Sequence, residues 1–464
     1  GYGARPSAPA DSVSAAGCPP VGMNPTRQEL PWGPEEHRFV APPKLVIQGR
    51  VVDAATGELV PKFRVIPGIK WNGDQEHWQQ REGFDATRGE FQLTHTYPYP
   101  AFLVRVEAEG YLPAVSRAIQ SDEGTIAVEL KLERGVDIER IVFTPKAEPA
   151  VGADVALALD RTLVQITNGR FADHLELRRT KTTGNGRCWF PPQEGNWRLI
   201  ILHETGYAVV KDDPENPSII VRLEPWAKVS GNCSLGGKPS AGETLSISYR
   251  IPEDSPLLQA NILLRGSAEV ASDGGFAFDR VFAAPLVISR QLRYRVTPNQ
   301  GYLIEHSHAQ YLEPEPGESQ QIAIGGTGVP VVGRLLPPAM VLDPLDWDSE
   351  VVKLAEPLPP RPARPAVPLT DEAPAEVREA WAEWQAASAY WMELRLRHRR
   401  FGGKVAADGR FRIDDVPPGR YELRASFTSK PVAERPQSRG LLSMEVEVPG
   451  GREGLDLGEL QLEP

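Results

Sequence analysis

The chain is 464 residues long, carries a formal net charge of −11, and contains 45 prolines and 42 glycines. That length is too great for one core and points to about three or four domains, while the acidic balance excludes a sequence-independent grip on phosphate backbones. So much proline and glycine leaves little room for long helices, and no apolar run reaches the ~18 residues that a membrane span needs.

Residues 1–43 are rich in Pro, Gly, Ala and Ser without periodicity and are expected to form an extended arm or linker, tacked onto the first folded module through Trp32 and Phe39. Cys18 follows Ala15-Ala16-Gly17, but Gly1 to Ser14 holds no apolar stretch of the kind that precedes a lipoprotein cleavage site. From Lys44 the texture changes. Lys44 to Asp53 is a β-branched strand, Thr56-Gly57-Glu58 reverses the chain, and Phe63 to Pro67 returns. Gly89 to Leu93, Phe102 to Val106, the turn Glu109-Gly110-Tyr111 and the strand Ile126 to Leu132 complete a two-sheet sandwich over 44–134.

The same grammar returns three times, which predicts further sandwiches over 135–226, 227–327 and 328–464. Its most legible word is a turn, a glycine and an aromatic strand. It reads Gly186-Arg187-Cys188-Trp189-Phe190 in the second module, Asp273-Gly274-Gly275-Phe276 in the third and Asp408-Gly409-Arg410-Phe411 in the fourth. Asp and Gly tolerate positive φ in a tight reversal, and the aromatic two positions on faces the core. Gly236-Gly237-Lys238 lacks the spacing of a phosphate loop and reads as a hairpin turn.

The fourth module is interrupted between about Trp347 and Arg400. Leu358 to Pro368 is proline-rich and extended; from Thr370 apolar residues recur at three- and four-residue steps, predicting an α-helix over about 370–400. Thr370 or Asp371 is the expected cap, the arginines 395, 397, 399 and 400 suit the helix C-terminus, and Gly402-Gly403 is the expected stop. The fold class is therefore all-β: tandem prealbumin-like or Ig-like β-sandwich modules with one inserted α-helix in the last.

Val51 to Pro61 resembles the opening of carboxypeptidase regulatory-like domains, and Asp408 to Tyr421 resembles their middle strands. The resemblance implies prealbumin-like sandwiches for modules one and four; the second departs from it at Cys188, where the pattern has Phe or Tyr. Lys44 to Pro464 also resembles the extracytoplasmic portions of large bacterial envelope and sensor proteins. There, such modules accompany a membrane zinc peptidase, a sigma-factor-like module or a thioredoxin-like domain, none of which is present here.

The sequence offers no catalytic constellation. His203-Glu204 begins like a zinc-peptidase helix, but Tyr207 stands where the second His belongs. Glu305-His306-Ser307-His308 places two imidazoles near one another, with a solvated strand edge as the plainer expectation. No Gly-x-Ser-x-Gly elbow and no Cys-x-x-Cys occur. Cys188 and Cys233 are expected as buried thiols, with a bridge between them left open. No catalytic residue, metal or cofactor is expected. Two features carry binding expectations. Trp71, Asp74, His77 and Trp78 form a polar loop whose indoles either stack a sugar or peptide or plug the end of the first sandwich. Trp381, Trp384 and Trp391 recur at helical spacing and either dock a partner or pack on the fourth module or across a module boundary. The expected function is a non-catalytic extracytoplasmic binding, spacer or sensor segment with a glycan, peptide or protein partner and no nucleic acid. The alternative is an accessory region of a larger enzyme or sensor. Membrane attachment would need segments outside this sequence.

Overall fold

The computed structural model describes residues 44–70, 76–95, 99–159, 162–173, 177–211, 218–251, 261–297, 301–338, 351–370, 373–428, 438–451 and 453–463. They form tandem β-sandwiches carried by eight sheets. In the first module, strand Leu45–Asp53 lies between Glu90–His95 and Thr125–Leu132, and this sheet faces a second one built on Lys62–Lys70 and Ala101–Ala108. Leu45, Ile47 and Val51 point inward with Phe63, Val65, Phe102, Val104 and Val106 to make its core. A strand's alternation sends residues i and i+2 to the same face, so the sequence period of two becomes one apolar wall.

One closure recurs in every module. The opening strand pairs in parallel with the closing strand: Val46–Asp53 with Thr125–Leu132, Ile141–Phe143 with Ile220–Arg222, Lys228–Ser234 with Ser319–Gly325, and Val331–Leu336 with Leu455–Gln461. On its other side the opening strand pairs antiparallel with the turn-Gly-aromatic strand, and there Gly49 opposes Phe91, Gly231 opposes Phe276 and Gly333 opposes Phe411. At Gly49 and Gly333 the ring lies where a side chain would stand, with a Cβ 1.9 Å from Phe91 and 2.8 Å from Phe411, whereas at Gly231 a Cβ would meet the Ile322 carbonyl oxygen at 1.8 Å. The second module exchanges both partners at once, with Arg140 opposite Cys188. Arg140 spreads over the Trp197 ring at 5.2 Å. Cys188 and Cys233 are both free and buried.

The turns behave as their chemistry requires. Gly274 and Gly409 take φ of 88° and 84°, and the preceding aspartates accept the backbone N–H of Gly275 and Arg410. Gly236 and Gly237 form the tip of a hairpin pairing Leu235 with Lys238, both at positive φ. Asp53, buried at the end of its strand, accepts the Tyr111 hydroxyl at 2.9 Å, the N–H groups of Ala55 and Thr56, and Arg134 at 2.7 Å. The Tyr111 bond, followed by that of Ala55, holds its carboxyl at about 2.

Three expectations are corrected. The helix spans Ala375–Arg397 and its cap position is Pro374, which has no side chain to bond the first turn. It ends before Gly402-Gly403. His398 turns extended to bond the Glu356 carbonyl, Arg399 pairs with the Glu356 carboxylate, and strand Arg400–Lys404 aligns beside Val351–Ala355. Second, His306 and His308 do not lie on a solvated edge. The ladder slips beside them, between Ile288 and Arg290, His308 takes φ of 52°, and its ring is buried against the fourth module. Third, the sandwiches are not independent bodies: each has a core of its own, but the second and third share another. Strand Val164–Thr167, from the second, hydrogen-bonds in parallel to Ile262–Arg265 of the third, and a buried cluster joins Ile166, Phe171, Ile200, Tyr207 and Trp226 to Leu264 and Phe282. A sheet that continues across the boundary leaves its apolar face to be covered by both neighbours.

Candidate functional site

Trp71 and Asp74 lie outside the described residues. His77 is exposed and Trp78 half-buried on the short strand Glu76–Trp78, which borders Lys62–Lys70. The Trp78 ring lies across Gly68, where a Cβ would meet it at 2.6 Å, so this indole packs on the sheet with part of its face left to solvent.

The three helix tryptophans grip the chain's own proline-rich strap. Indole N–H groups of Trp391, Trp384 and Trp381 donate to the carbonyls of Pro359 (2.8 Å), Pro362 (3.3 Å) and Val367 (2.8 Å), so strap and helix run in opposite directions. Arg364 stacks over Trp381 at 4.9 Å and Arg361 over Trp391 at 5.9 Å, while Trp381 and Trp384 meet edge to face at 5.3 Å. A proline-rich extended segment makes no internal hydrogen bonds, which leaves its carbonyls free for such donors. The face on which a partner was expected is therefore occupied by residues of the insertion itself.

The most elaborate polar chemistry sits at the module boundaries. Between the first two modules, the Glu107 carboxylate, 2% exposed, is shared by Arg105 at 2.9 Å and by Arg178 of the second module. Arg105 also donates to Gln193 Oε1 of the second module at 2.6 Å. Burial pulls both guanidinium pKa values down, that of Arg105 to about 10 and that of Arg178 to about 9. Between the second and third, four rings interlock: Phe282 lies 4.5 Å from Tyr207, 4.9 Å from Trp226 and 6.0 Å from Tyr249. The Tyr207 and Tyr249 hydroxyls accept the backbone N–H of Ala283 and Phe282, which leaves neither phenol unsatisfied in the apolar cluster.

Between the third and fourth modules, His308 is the keystone. Its Nε2 lies 3.0 Å from the Asp414 carbonyl and its Nδ1 2.8 Å from Ser307 Oγ, while Ser307 Oγ accepts the Gly402 N–H at 2.9 Å. A carbonyl only accepts, so Nε2 carries a proton, and in the neutral ring Nδ1 accepts from the serine hydroxyl. Burial holds its pKa below the ordinary 6.5, helped by Arg290 and opposed by the Asp414 bond and the nearby Asp415 and Asp414 carboxylates. Asp415 Oδ2 accepts the Gly236 N–H at 3.0 Å, and Lys353 pairs with Glu305 at 2.5 Å. His306 turns elsewhere, to Ser289 at 2.8 Å, so the two imidazoles do not converge. Among the described residues no group of His, Cys, Asp and Glu is arranged to hold a metal ion, and no helix is long and apolar enough to cross a membrane. Burial pushes the Cys188 thiol up to about 11 and raises that of Cys233 as well, the opposite of what a reactive thiol needs.

The fold and these boundaries define a tandem β-sandwich protein whose neighbouring modules meet through hydrogen bonds, ion pairs and a shared apolar cluster. No family model matches the chain, and no curated protein is similar to it in sequence. Among solved structures it is similar to the Bacillus anthracis TIE protein, at 9% identity over 87% of this chain and 69% of that one, with a TM-score of 0.16. It is also similar to a streptococcal ancillary pilin (10% identity, 61% and 99%, TM-score 0.20) and to the major pilin subunit of Bacillus cereus (9%, 70% and 99%, TM-score 0.17). At these scores the likenesses carry no functional argument.

Proposed function

We propose that this chain is a non-catalytic extracytoplasmic spacer and binding segment, which holds its loops and its two ends at set separations. The observation that supports this most is the second boundary, where one sheet and one buried cluster serve two modules. A sandwich built only to bind can hang from a free linker, whereas a strand donated to the next module removes the rotation between them. The buried Glu107 cluster and the His308 network favour the same fixed relation at the other two boundaries. Kinship with carboxypeptidase regulatory-like domains and residence outside the cytoplasm belong to this proposal. So does recognition of a glycan or peptide by the rim bearing His77 and Trp78, with Trp71 and Asp74 beside it in sequence.

The test is a distance distribution between spin labels at Lys146→Cys and Glu269→Cys, exposed positions of the second and third modules. Cys18 is changed to Ser, and the buried Cys188 and Cys233 stay unlabelled. A single narrow distribution is expected; a broad one spanning tens of ångströms would defeat the spacer reading. Binding of glycan and peptide panels to the full chain, compared with Trp78→Ala, decides the rim separately.

A further inference from the structure

A cleft of about 740 Å³ opens where the third and fourth modules meet, with His308 in its wall. Five cationic side chains line it, Arg290, Arg334, Lys404, Arg410 and Arg412, against two carboxylates, Asp414 and Asp456. Four of the five cations are held in ion pairs, which fix their guanidinium groups and offset much of their charge. Arg290 is braced by Glu243 at 2.9 Å, Arg334 by Glu459 at 3.2 Å and Arg410 by Asp408 at 3.3 Å, and none of these three acids lines the cleft. Only Arg412 is paired to a lining acid, Asp414, at 2.7 Å. Lys404 has no ion-pair partner among the described residues. Leu235, Leu292 and Val332 supply an apolar portion of the wall.

We infer that this cleft binds a small oxyanionic ligand bearing two or more phosphate, sulfate or carboxylate groups, and that occupancy ties the third module to the fourth. Guanidinium forks meet oxyanions through paired N–H donors; an arginine already held by one carboxylate keeps further N–H groups to offer, and Lys404 brings a charge with no ion-pair partner among the described residues. The volume falls in the range of small-molecule sites, roughly 300–1,000 Å³. Because Arg290 belongs to the third module while Arg334, Lys404, Arg410 and Arg412 belong to the fourth, a ligand touching both sets binds only the docked arrangement and so stabilises it. The inference goes beyond the spacer reading and does not need it.

The experiment is calorimetric titration of the full chain with pyrophosphate, sucrose octasulfate and citrate, one probe for each oxyanion, at 50 and 300 mM NaCl, with thermal midpoints recorded alongside. At least one probe is expected to bind with a dissociation constant below 1 mM, to weaken several-fold at the higher salt, and to raise the midpoint. Lys404→Glu, at an exposed strand position, is expected to weaken binding at least tenfold without moving the ligand-free midpoint; Lys404→Arg is expected to retain it. Should Lys404→Glu unfold the module, Lys404→Gln and the salt dependence decide instead. Absence of binding by all three probes at 10 mM, or binding untouched by Lys404→Glu and by salt, would overturn the inference. Either result leaves the spin-label distance between the second and third modules to stand or fall alone.

Discussion

Phe282→Ala tests whether the second and third modules are one cooperative body. Phe282 is 2% exposed and touches rings from both sides of the boundary, Tyr207 at 4.5 Å and Trp226 at 4.9 Å in the second module and Tyr249 at 6.0 Å in the third. Truncating a buried phenylalanine costs ~3–5 kcal/mol in lost transfer energy and residual cavity. The upper part of that range applies, because three aromatic neighbours held by the sheet across the boundary cannot collapse into the space. For a unit of two such modules, ~2–4 °C of midpoint is lost per kcal/mol, so a fall of about 8–20 °C is expected. Hydrogen exchange locates the effect. Amides of Trp197–Leu202 in the second module and Thr244–Tyr249 in the third should lose protection together, while Val329–Leu336 in the fourth keeps its own. Loss confined to the third module, or a midpoint shift under 2 °C, would refute the shared-core reasoning.

The remaining boundaries give further outcomes. Glu107→Gln leaves two buried guanidinium groups facing a neutral amide, and the cost of breaking such a cluster is ~3–5 kcal/mol, to be read from urea unfolding; an unchanged midpoint would contradict the burial of the pair. His306, His308 and His398 all have pKa values lowered from 6.5, chiefly by burial, so the unfolded chain binds more protons than the folded one once pH drops below that value. Stability is therefore level above pH 6.5 and falls as pH is lowered through the window beneath it; comparing urea midpoints at pH 7.5 and 5.5 checks the sign, and a rise at pH 5.5 would reverse the argument. Trp384→Phe and Trp391→Phe each keep a ring but delete the N–H to the strap, at ~1 kcal/mol apiece. The loss should show as faster exchange within Ala375–Arg397 while the strands of the fourth module hold; equal loosening of Leu354 and Leu423 would mean that the clasp is part of that core.

Much of the fold was legible because its signals are local. Asp-Gly turns, β-branched alternation and the Gly-x-Phe strand act over a few residues, and they placed Phe276 and Phe411 in cores where they are found. What stayed hidden depends on pairing between distant segments. Nothing in Val164 to Thr167 announces that its partner is Ile262 to Arg265, a hundred residues on. The inward turn of His308 requires a slipped ladder, which no alternation pattern records. Two missed features did leave marks: Gly49, Gly231 and Gly333 share one place in their opening strands, each facing an aromatic residue, and the proline-rich stretch directly precedes the helix whose indoles it feeds. The loop around Trp71 gave residue types without geometry.

The parallel pairing of first and last strands has a mechanical consequence. Tension applied at the two ends of a module draws its opening strand one way and its closing strand the other, so the bonds between them are loaded in shear and resist as a group. Overlap sets the resistance: eight residue pairs in the first module, seven in the third, five in the fourth and three in the second. The module with the shortest overlap is also the one that lends a strand to its neighbour, so the place where pulling should begin to tear the array is the place stitched to the next body.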